Sequence, residues 1–259
     1  MTKIDVENVK TKVSQNKIIG KDIFYFIKTK STMDEAHKAV SKQIGEGSVF
    51  IAEEQTAGRG RFKRKWISDQ GANLTFSILL KPEISKMRLI NMATALAISS
   101  GIHLITGIKT TLKWPNDVRI NKKKVAGILI ESGYDKENNL YMVVGIGINV
   151  NMRIDEHSEI KSFATSLSNE LGEEVERINL FVSILNSIDA YYQKLDCSDE
   201  IRTEWINLLD TLGTEINFLV GESIVVGHAE SVDKDGNLII RKKDGEIAVF
   251  SAGEVTLQT

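Results

Sequence analysis

Five cations crowd into the run GRGRFKRKW at 58–66: Arg59, Arg61, Lys63, Arg64 and Lys65, with Gly58 and Gly60 interleaved. Guanidinium forks match the paired oxygens of phosphates and carboxylates, and glycine lets a backbone approach an anion closely. With no acid inside the run, such a loop repels itself unless it is solvated or meets an anionic ligand. On composition alone, a solvated loop or a nucleic-acid patch stands level with a ligand site.

Other residues discriminate better. In YMVVGIGINV (141–150), period two places Met142, Val144, Ile146, Ile148 and Val150 on one face and Val143, Gly145, Gly147 and Asn149 on the other. Glycine weakens a strand, so two on one face imply a ligand or a backbone pressing close, or a helix packed tightly over them. KWPND (113–117) reads as a turn after a strand, with Pro115 favouring an extended Trp114. Lys124 opens the next strand and by alternation shares a face with Ala126 and Ile128. It is either an edge-strand charge or a cation aimed at a developing phosphate charge.

Several chemistries lose their usual support. There is no G-x-x-x-x-G-K-[ST] run, GIGIN lies inside a strand rather than at a strand-to-helix turn, and no G-x-S-x-G elbow is present. Cys197 is the single cysteine, and His37, His103, His157 and His228 lack ligand spacing, so no protein-only metal site is expected. A net charge of −2 argues against a protein whose main task is binding nucleic acid. No apolar run approaches the roughly 18–20 residues of a membrane span, and the polar N-terminus is not a secretory signal. A cytoplasmic protein with no membrane partner is the expectation.

These residues need elements to position them. A short polar helix is expected in the first dozen residues, then a strand at DIFYFIK (22–28). A helix follows, capped by Ser31 or Thr32 and stopping near Gly45. SVFIAEEQ (48–55) and NLTFSILL (73–80) read as strands, the latter with Leu74, Phe76, Ile78 and Leu80 on one face. A helix over Met87 to Thr106, strands at 124–132 and 141–150, and helices near 177–195 and 199–211 complete an α+β domain. Its sheet is mixed and largely antiparallel, with helices flanking it. After Gly213, short strands split by Gly and Asp turns indicate a small β-barrel, with a boundary near 212–214.

In this order, STMDEA (31–36), EEQTAGRGR…KW (53–66), GANL (71–74), KWPND, KVAGIL (124–129), GIGINV (145–150) and SAGEV (251–255) resemble the biotin protein ligases. The resemblance covers residues 20–259. It implies an N-terminal extension at 1–20, a catalytic domain at 21–212 and an SH3-like barrel at 213–259. The implied reaction couples biotin with Mg·ATP to give biotinyl-5′-AMP and pyrophosphate. A lysine of a biotin carboxyl carrier protein then attacks the adenylate and releases AMP.

By the same resemblance, Ser31, Thr32 and Gln55 contact the biotin ring, while Gly58, Arg59, Gly60 and Arg61 form an ordering loop over the adenylate. Lys124 lies between biotin carboxylate and α-phosphate as chief catalytic cation, and Gly127 and Gly145 line the biotin pocket. Trp66, Asn116 and Asn149 lie on the adenylate side, and Asp117 orients or deprotonates the incoming lysine. A homodimer through a sheet edge is implied on this ground alone.

Two departures stand out. Lys63 occupies the third glycine position of the usual GRGRxGR, which predicts looser retention of adenylate if that position needs positive φ. Only about 20 residues precede the first strand, too few for a helix-turn-helix domain, so a ligase without DNA binding is expected. The alternatives are a lipoate or octanoate ligase of similar fold and, in another class, a nucleic-acid-binding module.

Overall fold

The computed structural model describes residues 3–220 and 223–257. Strands β1 (Ile23–Thr29), β2 (Val49–Gln55), β3 (Leu74–Leu80), β4 (Thr111–Lys113), β5 (Asp117–Ile120), β6 (Lys123–Tyr134) and β7 (Leu140–Ile148) build one sheet. Its order is β1-β2-β3-β7-β6-β5-β4. β1 and β2 run parallel, and the other neighbours are antiparallel. Helices α1 (Val6–Lys12), α2 (Thr32–Val40), α3 (Met87–Thr106), α4 (Leu167–Leu171), α5 (Arg177–Gln193) and α6 (Ser198–Leu208) flank it. The expected α+β class with a largely antiparallel sheet is what forms.

Alternation builds the main core. Leu74, Phe76, Ile78 and Leu80 of β3 and Val144, Ile146 and Ile148 of β7 share it with α3 and α5. Phe76 meets Phe181 edge-on at 5.1 Å between ring centroids. The two helices cross closely at Gly101, where a Cβ would stand 2.7 Å from Ile184 Cγ1. Val9, Val13 and Ile19 enter the same core, so the chain before β1 is packed into it.

Against the other face, α2 sets Met33, Ala36 and Ala39 on Phe50, Leu79 and Val143. With both faces covered, β3 is buried at every position. α2 ends at Val40 rather than near Gly45, because Gln43 takes the left-handed turn (φ 58). α3 is a further correction: by length and composition it is apolar enough to cross a membrane, yet it is used as a core helix.

Strands β8 (Glu215–Val220), β9 (Ser223–Val232), β10 (Leu238–Lys242), β11 (Ile247–Phe250) and β12 (Glu254–Leu257) pair antiparallel in the order β11-β10-β9-β8-β12. Ile216, Phe218, Leu238 and Val255 bury against the large domain. There Trp114 packs on Phe218 at 5.7 Å and donates from Nε1 to the Gly236 carbonyl at 2.9 Å.

One buried ion pair ties these layers together. Arg177 on α5 meets Glu53 on β2 at 2.8 Å, with 6% and 5% exposure. Glu53 also accepts from the Ile4 backbone N–H and the Tyr25 hydroxyl, and Arg177 donates to the Asn73 carbonyl. Burial, with the Glu53 carboxylate beside it, pushes the Tyr25 phenol up to about 12. Removing one partner of a buried pair strands the other charge, at a cost of roughly 3–5 kcal/mol. Arg177→Met is therefore expected to lose about 3 kcal/mol in urea unfolding; a loss below about 1 kcal/mol would show that the pair does not hold the fold.

Candidate functional site

Register dictates the floor of the site. Thr75 stands opposite Gly147, Gly147 opposite Gly127, and Gly127 opposite Asp117. Residues directly opposite in an antiparallel ladder share a face, so two adjacent positions of this row carry no Cβ. The indole of Trp66 lies on them: a Cβ at Gly147 would stand 2.3 Å from Trp66 Cε2, and one at Gly127 would stand 3.2 Å from Trp66 Cζ3. In the next row, Ser77, Gly145 and Leu129, a Cβ on Gly145 would meet Met33 Sδ at 2.7 Å. The helix reading of the glycine strip thus holds at Gly145, while at Gly147 the close neighbour is neither ligand nor backbone but the protein's own Trp66 ring.

Lys124 departs from the alternation expected for it. The β5–β6 register passes from Val118↔Ala126 to Arg119↔Lys124, leaving Val125 as the extra residue of a β-bulge. Val125 and Ala126 both enter the core, and Lys124 turns to the opposite, glycine-bearing face. Its Nζ would lie 2.8 Å from a Cβ on Gly127. It pairs with Asp117 at 2.7 Å and sits 5.5 Å from the Trp66 ring centroid. Bulges commonly re-aim a side chain in this way.

Over this floor opens a cavity of about 650 Å³. Its walls include Ser31, Thr32, Gln55, Arg59, Gly60, Arg61, Trp66, Asn116, Asp117, Lys124, Gly127, Gly145 and Asn149. Gly58 is not among the lining residues; it lets the chain pack close, since a Cβ there would meet the Trp66 carbonyl oxygen at 2.9 Å. At one end, Gln55 Oε1 accepts from the Thr32 backbone N–H (2.7 Å) and hydroxyl (3.1 Å), and the Thr32 hydroxyl lies 2.8 Å from that of Ser77. Asn116 Nδ2 donates to the Ile128 carbonyl and Asn149 Nδ2 to that of Thr165.

The basic run forms a small hairpin. Trp66 N–H donates to the Gly58 carbonyl, Gly60 N–H donates to that of Arg64, and Arg59 bridges Lys65. Its left-handed residue is Phe62 (φ 55); the side chain of Lys63, the residue that departs from the usual glycine, lies outside the described residues. The run itself contains no acid, but the fold supplies two: Arg59 pairs with Asp34 at 2.6 Å and Glu131 at 3.5 Å. The hydrogen bond to Asp34 raises the guanidinium pKa further. Arg61 donates to Asn116 Oδ1 at 3.2 Å.

Among the described lining residues, Arg59, Arg61, Arg64, Lys65, Lys113, Arg119, Lys122 and Lys124 are cations, and Asp117 is the one acid. Such a wall suits a polyanion. Trp66 Nε1 is a buried donor with no acceptor, the kind of orphan a bound ligand satisfies. Sequence reasoning missed Arg119, Phe163, Gly253 and Val255. Their places in the wall depend on strand pairing and on the second sheet, for which no local motif exists.

Comparison with known proteins agrees with this chemistry. Residues 23–149 match the Biotin/lipoate A/B protein ligase family, and residues 211–257 match the Biotin protein ligase C terminal domain. The bifunctional ligase/repressor BirA of Bacillus subtilis is 32% identical over 243 residues, covering 92% of this chain and 75% of that protein. The biotin–[acetyl-CoA-carboxylase] ligase of Paracoccus denitrificans is 32% identical over 237 residues, covering 88% and 97%. A biotin protein ligase from Aquifex aeolicus, solved with biotin and ATP, superposes with a TM-score of 0.78 at 30% identity, covering 92% of this chain and 99% of that one.

Gly147→Ala tests the floor. The added methyl must displace the indole, so the Trp66 part of the emission, taken as the difference from a Trp66→Phe sample, should shift to the red in a folded protein. An unshifted difference spectrum would mean that Trp66 does not rest on Gly147.

Proposed function

Because the chain belongs to the biotin/lipoate A/B protein ligase family, we propose that its cation-lined cavity joins biotin to ATP as biotinyl-5′-AMP and passes the acyl group to a carrier lysine. The enzyme is a biotin ligase, and its acceptor is a biotin carboxyl carrier protein. Of the two family activities, biotin is favoured over lipoate or octanoate by the second match, which is to a biotin ligase domain. The observation that carries the reading is the asymmetry of the cavity: a hydrogen-bonding end at Ser31, Thr32 and Gln55, and a described wall of eight cations against Asp117.

In the first step a biotin carboxylate oxygen attacks the α-phosphorus, the bond to the bridging oxygen breaks, and pyrophosphate leaves. Two anions must approach, so the barrier is dominated by charge, and fixed cations lower it. Lys124 has the place for this: the bulge aims it over the floor and Asp117 holds its ammonium. Ser31, Thr32 and Gln55 offer donors and acceptors for the biotin ring. Gly127 and Gly145 let Lys124, Trp66 and Met33 sit close beside it, and Gly58 gives the hairpin its close approach.

Arg59 and Arg61 carry that hairpin across the cavity. Trp66 provides a rigid plane for adenine, with Asn116 and Asn149 nearby. In the second step the carrier amine attacks the acyl carbon, its bond to the AMP oxygen breaks, and a proton leaves the nitrogen. Gly253 and Val255 place the small sheet at the cavity wall, which supports a part for it in holding the nucleotide. Among the described residues no group of three His, Cys, Asp or Glu could hold a metal, so Mg2+ would arrive with the ATP phosphates. The dependence on ATP favours the cytoplasm.

ATP–pyrophosphate exchange tests the reading. Exchange should require biotin and should not run with lipoate or octanoate. Lys124→Ala should slow it by at least about 100-fold, comparable to losing one oriented donor of a developing charge. Exchange driven by lipoate would move the protein to the sister activity, and normal exchange in Lys124→Ala would remove that lysine from the mechanism.

A further inference from the structure

Not all of the hairpin's charge faces the cavity. Arg59 reaches across to two carboxylates outside the cavity wall. Its Nη1 lies 2.6 Å from Asp34 Oδ1 in the first turn of α2, and its Nη2 lies 3.5 Å from Glu131 Oε2 on β6. Glu131 is itself oriented, because Oε2 also meets His37 Nε2 at 2.8 Å, and His37 Nδ1 lies 3.3 Å from the Tyr141 hydroxyl. The elements so joined are those that carry the site: α2 holds Thr32 and Met33, and β6 holds Lys124 and Gly127. At the hairpin tip, Arg61 donates to Asn116. The hairpin is thereby strapped at two separated points.

We propose that Asp34 and Glu131 are positioning residues for the ligase reaction: by holding Arg59 they keep the basic hairpin across the cavity and set how long the acyl-adenylate stays on the enzyme. The inference rests on the ligase reading above. Neither carboxylate lines the cavity, and Arg59 is the lining residue that both of them hold. The chemistry demands such a strap, since a mixed anhydride is lost to water whenever the loop over it opens. A strap of half-exposed ion pairs is also weak enough to release for product exit. Single pairs of this exposure contribute little, which translates to about threefold in loop opening for each carboxylate and about tenfold for both.

The test loads the full chain with radiolabelled biotin and ATP, removes free ligand, and follows bound biotinyl-AMP with time. Asp34→Asn, Glu131→Gln, their double variant and the conservative Asp34→Glu are compared with wild type. Biotin-dependent exchange should persist in all. The half-life of bound adenylate should fall about threefold in each single amide variant and about tenfold in the double variant. Asp34→Glu should restore most of the retention. The double variant should also label bystander proteins that lack a carrier sequence, because escaped adenylate reacts with lysines in bulk. A half-life in the double variant within twofold of wild type, or longer, overturns the strap. Absence of biotin-dependent exchange in wild type overturns the ligase reading, and the strap falls with it.

Discussion

Two glycines facing each other across β6 and β7 set the geometry from which everything at the site follows. Side chains from neighbouring strands normally stand about 5 Å apart and fill the space above a sheet. Where Gly127 meets Gly147 that space is free, and Trp66 takes it, lying on the backbone of two strands. The same strip admits the Lys124 side chain, which the bulge at Val125 has turned over from the core face. Without the bulge the ammonium would point into the hydrophobic layer under α3. Without the glycines it would have no room on the face where it is needed. The bulge and the missing side chains are one device, and the Asp117 carboxylate opposite Gly127 completes it by meeting the ammonium as it emerges.

Charge is distributed on the same logic. The chain as a whole is slightly acidic, yet the described cavity wall carries eight cations and one acid. Such a concentration is costly when the site holds no anion, and the fold offsets part of it internally. Asp117 takes Lys124, Asp34 and Glu131 take Arg59, and Asp210 takes Arg119 at 3.0 Å. Asp34, Glu131 and Asp210 stand outside the described lining, and Asp117 alone lies in it. An arriving polyanion meets one carboxylate in the wall, Asp117, and that one is already paired with Lys124. The basic run that looked self-repelling in the sequence is therefore a structured hairpin with partners supplied by distant segments.

How much of this is legible in the sequence depends on how local the cause is. α3 is found at its full extent because its apolar content is dense and Gly107 (φ 72) stops it. Strands β1, β2, β3, β6 and β7 follow from their composition, whereas β5 begins at Asp117, where the sequence suggests a turn; the glycine strip of β7 can be read directly from alternation. The face of Lys124 cannot, because a bulge is a property of two paired strands and Val125 looks like any other strand valine. Asp34 and Glu131 are unremarkable until the fold brings them to Arg59. Gln43 replaces the expected glycine at the end of α2, since a turn needs one residue in the left-handed region and not a particular glycine.

The second sheet shows the same dependence on assembly. Trp114 sits in the turn that carries Asn116, and its neighbours come from elsewhere. Its backbone N–H donates to the Thr211 hydroxyl at 2.9 Å, its indole donates to Gly236, and its ring lies on Phe218. Gly253 stands close enough to Phe218 that a Cβ would approach its ring to 2.2 Å, which brings the segment before β12 to the cavity wall. The turn that receives Arg61 at the hairpin tip is thus set by packing against the small sheet, while the hairpin's other anchor rests on α2 and β6. The two ends of the hairpin are therefore anchored by different parts of the molecule.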